Sequence, residues 1–331
     1  DGKHISGSAI STGSFGKVKS ADGVFEGAGS KKLIIDTNSR ISLSNNDSGT
    51  SNTIFGKSAG TPDAGSNYNV FIGEGAAGNG ALDDSQENVA IGFRAGYGLS
   101  TSDKNVLIGM QAGQLITTGN QNTYIGWDSG RYQIAGSSNT ALGAGAGKYQ
   151  RGSSNVMMGI SAGFGDSSSP YTNGSNNTAI GASALINTRA SQSYTTALGS
   201  EAGFYTTGSY NTFVGGKAGY GGTTSLPYSS GTSNTAVGYE ALKGFTTGGS
   251  NVAIGYQAAK ALTTGGEAVA IGRMALGSAT TQGRNVAIGY FSAATLTGAN
   301  AQFNVFVGDY TGQGGSGNLK RSVAIGYQTL Q

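Results

Sequence analysis

The 331-residue chain holds a single histidine, His4, and no cysteine, which removes most side chains that carry nucleophilic, redox or metal chemistry. A Ser–His–Asp triad, a Cys–His pair or a His-rich metal site has no partners to draw on in most of the sequence. His4 sits in an irregular N-terminal stretch and reads as a solvated loop residue. The densest acidic group is Asp83, Asp84 and Glu87. Paired carboxylates can hydrolyse glycosidic bonds, but these three fall in one inter-repeat loop, where a solvated role is the simpler reading. Gly143, Gly145 and Gly147 imitate a phosphate-cradling loop, yet the strand–loop–helix context that such a loop needs is missing. The calcium-binding phrase Gly-Gly-x-Gly-x-Asp does not occur. The chemistry-bearing residues thus predict a non-enzymatic chain with no cofactor and no metal.

What the sequence does carry is a phrase repeated sixteen times: Asn, a β-branched residue, a variable apolar residue, a large apolar residue, then Gly. It runs from Asn52–Gly56 through Asn88–Gly92, Asn139–Gly143 and Asn251–Gly255 to Ser322–Gly326, with a modal spacing of 17 residues. A short fixed period over most of a chain marks a solenoid, each repeat being one unit stacked on the last. The expected fold is all-β, a parallel β-solenoid of about sixteen coils over residues 51–331. At about 4.8 Å per coil it is roughly 70–80 Å long.

The residue three before the glycine is Thr or Val in all sixteen copies, and the residue one before it is always large and apolar, as in Phe55, Ile72, Ile91 and Ile254. Side chains alternate along a strand, so these two share a face; we take that face as the core of the coil. The position between them is apolar too, Ala in nine copies. A strand apolar on both faces is buried on both. The second face therefore predicts a homo-oligomer, with Ala90, Ala141, Ala179, Ala253 and Ala287 packed against neighbouring subunits. The Asn that opens the phrase in thirteen copies predicts a hydrogen-bonded corner ladder. Three residues after the glycine stands Ala, Ser or Thr, and polar stretches at 206–209, 246–250 and 263–266 suggest a second, shorter strand and two bends per coil. Trp127, Tyr239, Tyr256, Tyr290 and Tyr327 follow repeat glycines and form an aromatic stripe that stacks between coils.

Glycine is abundant (60 residues), charged residues make up 11% and the net charge is +3, with no basic run or interleaved aromatic patch for nucleic acid. No apolar stretch reaches membrane-spanning length, and no signal peptide is visible. The start at Asp1 and the end at Gln331 are read as those of a fragment, a processed product or the ordered part of a longer chain. Residues 1–50 lack the phrase and form a connector or attachment segment. Within it, 32–36 and 40–44 alternate apolar residues around a turn and predict two strands.

Two long intervals, of 22 and 23 residues, both insert Ser-x-Pro-Tyr, giving Pro170, Tyr171, Pro227 and Tyr228. Insertions in solenoids project as loops from one face, so these four residues are the candidate receptor contacts.

The Asn-Val-Ala-Ile-Gly core at 251–255 and 285–289 resembles the head repeats of trimeric autotransporter adhesins. That resemblance implies a left-handed parallel β-roll with three chains about one axis, over residues 52–331, although the adhesin coils are somewhat shorter. Long arrays with Thr-Thr-Gly spacers, and the segment 6–16, also look like phage tail fibre and related virion appendage proteins. Some of those end in a self-cleaving chaperone domain, and an end at Gln331 suits such removal. The resemblance implies a virion fibre for host attachment, partnered by itself, by other fibre subunits and by a host-surface glycan or protein. The alternatives are a bacterial adhesin head and a purely structural extracellular filament.

Overall fold

A computed structural model describes strand residues 23–26, 32–35 and 41–43, and 51–330 except 61–64, 80–81, 166–173, 188–191, 225–227, 299 and 314–318. The chain divides into two compact units, Asp1–Asn46 and Asp47–Gln331. In the first, β1 (Gly23–Glu26), β2 (Lys32–Ile35) and β3 (Ile41–Leu43) form an antiparallel sheet in that order. The two strands expected around the turn are β2 and β3; β1 is an addition.

The second unit is a solenoid built on one sheet of 16 parallel strands, β4 (Thr53–Phe55) to β19 (Val323–Ile325), in strict chain order. Each strand is the three residues before a repeat glycine, and equivalent residues pair across coils, as in Val252↔Val269, Ala253↔Ala270 and Ile254↔Ile271. No helix occurs among the described residues.

The faces of this sheet are the reverse of the sequence expectation. The middle residue of each strand points into the coil: Ala90, Ala141, Ala253 and Ala287 are fully buried within one chain, and Ala179 is buried to within 1%. These alanines are therefore core residues and are not available to a neighbouring subunit. The flanking Val or Thr and Ile or Leu point outward and are half-buried or exposed, as with Ile254 at 38%. The cause is the narrowness of the interior. It must also hold the opening Asn, the small residue three after the glycine and further apolar side chains such as Leu99, Ile116 and Leu262, all buried.

The expected Asn ladder forms, inside the coil rather than at its rim. Asn122 Nδ2 donates to Asn105 Oδ1 (3.1 Å) and to the Gly136 carbonyl (3.0 Å). Its Oδ1 accepts from the Asn139 backbone N–H (2.9 Å), from Asn139 Nδ2 (3.1 Å) and from the Tyr124 hydroxyl (3.1 Å). A buried polar group must be paired, and here the Asn122 amide pairs with the coils before and after it. Ala268 shows that one rung can be lost, its N–H still donating to Asn251 Oδ1 at 3.0 Å. Replacing Asn122 by Ala should thus cost about 2 kcal/mol in denaturant unfolding, the sum of modest bonds and a few stranded partners. An unchanged midpoint would mean that the ladder contributes nothing.

Among the described residues the second strand per coil does not form. The polar half shows isolated bridges instead, among them Thr206↔Ser229 and Gln302↔Lys320. Coil-to-coil hydrogen bonds persist there, for example Thr263 N–H to the Thr280 carbonyl at 2.7 Å. Left-handed backbone recurs at fixed places around each apolar strand. In one coil these are Ser250 (φ 59°), Gln257 (φ 55°) and Ala259 (φ 48°), besides Gly255. That coil thus carries four residues of positive φ.

Candidate functional site: an open apolar face and its charged flank

The most extensive chemical feature of the solenoid is the outward face of its sheet. Its two positions per coil are Val or Thr and Ile, Leu, Val, Met or Phe throughout, without one charged residue. Phe55 is 65% and Ile325 67% exposed at its two ends, and Ile125, Met158, Leu198 and Ile288 are exposed between them. At about 4.8 Å per rung, a strip two side chains wide covers on the order of 700 Å², above the usual largest apolar patch of a monomer.

Beside this face runs the residue after each repeat glycine. Tyr239 and Tyr256 stack at 5.7 Å, as the sequence predicted for this column. Arg273 continues the stack, its guanidinium 5.6 Å from the Tyr256 ring and 5.5 Å from Tyr290. Trp127 is exposed, with Lys148 Nζ at 5.9 Å from its ring.

Two buried carboxylates lie in equivalent places, two residues after their repeat glycines, and sequence reading missed both. Asp128 takes Lys148 at 2.7 Å and Arg131 at 3.3 Å. Glu240 takes Lys243 at 2.6 Å, Lys260 at 2.8 Å and Gln257 Nε2 at 2.8 Å. Burial works against ionisation of Glu240, but the donors from Lys243, Lys260 and Gln257 outweigh it and bring its pKa from 4.5 down to about 2. A folded-state pKa below the unfolded one contributes stability that is complete above the unfolded value and is lost as pH falls from about 4.5 toward about 2. Glu240→Gln should therefore flatten the loss of thermal stability across that window. Equal slopes for the two proteins would show that the clamp is open in solution.

The other sequence candidates are scattered. Pro170, Tyr171 and Pro227 lie outside the described residues. Tyr228 is half-buried, its ring 5.5 Å from Tyr205, in a cluster with Tyr220 and Phe204. Asp83, Asp84 and Glu87 are exposed on one loop, with Asp84 Oδ1 accepting from Gln86 Nε2 at 2.7 Å. Among the described residues no group of three His, Cys, Asp or Glu side chains is placed to hold a metal ion, and no helix is long and apolar enough to cross a membrane.

The geometry defines a class: a parallel β-solenoid with one three-residue strand per coil and an uncharged outward sheet face. The chain matches no protein-family model, no curated protein and no solved structure.

Proposed function

We propose that this chain is a structural fibre protein of a virion, the shaft or head of a tail fibre or appendage, acting in host attachment without enzymatic activity. It works outside the cell as a parallel homotrimer of left-handed β-roll-like solenoids. The observation that carries this reading is the uncharged outward sheet face, continuous over sixteen rungs. A second copy of the chain is its natural occupant, because only a partner with the same coil repeat meets it rung for rung along its whole length. Closed cyclic symmetry buries the same strip on every chain. Receptor contact falls first to the insertions with Pro170, Tyr171, Pro227 and Tyr228.

The test is recovery of the full reading frame and its neighbours, with labelling of particles by antibody raised against the solenoid. Capsid and tail genes nearby, and label on an appendage, are expected. A downstream coiled-coil stalk with a membrane anchor would instead make the chain a bacterial adhesin head. Degradation of host polysaccharide by the purified chain would make it an enzyme.

A further inference from the structure

The two carboxylate clamps share one plan, and the second lies beside a groove. Asp128 with Arg131 and Lys148, and Glu240 with Lys243 and Lys260, occupy the same positions relative to their repeat glycines. In the first, the residues following the two cations are Tyr132 and Tyr149, whose rings stack at 4.7 Å and cover the flank. In the second they are Gly244 and Ala261, preceded one coil earlier by Gly221. With those side chains missing, a groove of about 390 Å³ opens, walled by Tyr220, Thr224, Lys243 and Lys260.

The wall has a definite chemistry. Lys243 and Lys260 are both tethered to the Glu240 carboxylate, one to each oxygen, and both remain about one-third exposed. Two cations against one carboxylate leave one positive charge, and each ammonium carries three donors, of which Glu240 takes one. Tethering fixes two long side chains before any ligand arrives, so little further conformational entropy is lost on binding. The Tyr220 ring stands beside them, with Lys243 Nζ 5.9 Å from its centroid. Behind it the cluster continues through Tyr205, 5.3 Å away. An aromatic face accepts the apolar face of a pyranose ring, and paired ammonium groups accept an anionic substituent through charge-assisted hydrogen bonds.

We infer that the groove between Tyr220, Lys243 and Lys260 binds an anionic sugar residue, carboxylated or sulfated, of a surface polysaccharide. This deepens the attachment reading and draws on it only for its biological use, since binding is measured on the purified chain. Failure to bind would leave the fibre assignment standing, and the reverse also holds.

The probes for calorimetry are a glucuronate-containing tetrasaccharide, a sulfated tetrasaccharide, neutral maltotetraose and inorganic phosphate, at low and high salt. At least one acidic oligosaccharide should bind about tenfold or more tighter than the neutral one, and weaken as salt rises. The two acidic probes identify the substituent, while phosphate alone, lacking a ring to place on Tyr220, should bind more weakly than either. The triple variant Glu240→Gln, Lys243→Gln, Lys260→Gln removes the cations without stranding a buried carboxylate, and should lower affinity about tenfold or more. Ala261→Tyr leaves the clamp intact and copies the place Tyr149 holds in the first clamp; it should fill the groove and abolish binding. The matching triple change at Asp128, Arg131 and Lys148 should leave binding unchanged. Equal binding of acidic and neutral probes, no binding of any acidic probe, or full binding by Ala261→Tyr overturns the inference.

Discussion

Gly215→Ala destabilises the solenoid by about 3 kcal/mol or more, while Gly216→Ala, one residue along, changes stability by less than about 1 kcal/mol. Gly215 is a repeat glycine with φ of +125°, a backbone region that side chains strain to enter. A Cβ there would stand 2.8 Å from the Gly238 carbonyl carbon and oxygen of the next coil, which cannot retreat because the sheet ladder holds them. Gly216 has an ordinary φ, and a Cβ there would meet only the edge of Tyr239 at 3.4 Å. Coils in a solenoid touch mainly their neighbours, so the damage at Gly215 is local as well as global. Denaturant unfolding reads the total, and hydrogen exchange should show early opening of the flanking strands. Equal effects at the two positions would mean that the glycine column does not set the coil spacing.

The second large contrast is between Ala253 and Ile254. Ala253→Glu puts an unpaired carboxylate and extra volume between Ala236 and Ala270, at a position with no exposure, and should cost about 4 kcal/mol or more or prevent folding. Ile254→Glu, on the opposite face, places its charge in water within a single chain and should leave the coil folded. Its effect should appear in association instead. Circular dichroism melts of the two proteins separate these outcomes, and a folded Ala253→Glu would contradict the inward assignment of that face.

The architecture was legible in the sequence because the repeat is written in it: the glycine spacing, the three-residue strands and the Asn ladder follow from period and alternation. Which face points inward was misread. Alternation groups positions 53 and 55, or 252 and 254, onto one face, but cannot say which side is enclosed when both are apolar. A second signal was present in the covariation between repeats. In six of the seven copies where the middle strand residue is large, the residue six later is glycine, as in Tyr124 with Gly130, Phe213 with Gly219 and Phe306 with Gly312; Phe71 with Ala77 is the exception. Where it is Ala, Leu often stands there, as in Ala179 with Leu185, Ala236 with Leu242 and Ala270 with Leu276. Such exchange of volume occurs between groups that share one packed interior, and the structure places the Tyr124 ring against Gly130. Other copies, such as Ala141 with Gly147, accommodate a neighbour instead, here Met157 of the next coil, which blurs the pattern. The charged clamps were invisible for another reason. Asp128 and Lys148, or Glu240 and Lys260, are 20 residues apart and meet only once the coil geometry is known.

The molar mass of the full chain in dilute solution shows whether the outward face of the sheet is the assembly surface of a trimer, as we propose. Sedimentation equilibrium should give three times the 33.0 kDa chain mass for the native protein. It should give 33.0 kDa, with an unchanged circular dichroism spectrum, when Ile254 and Ile288 are both replaced by Glu. A native protein that stays at 33.0 kDa across the accessible concentrations rules out the trimer.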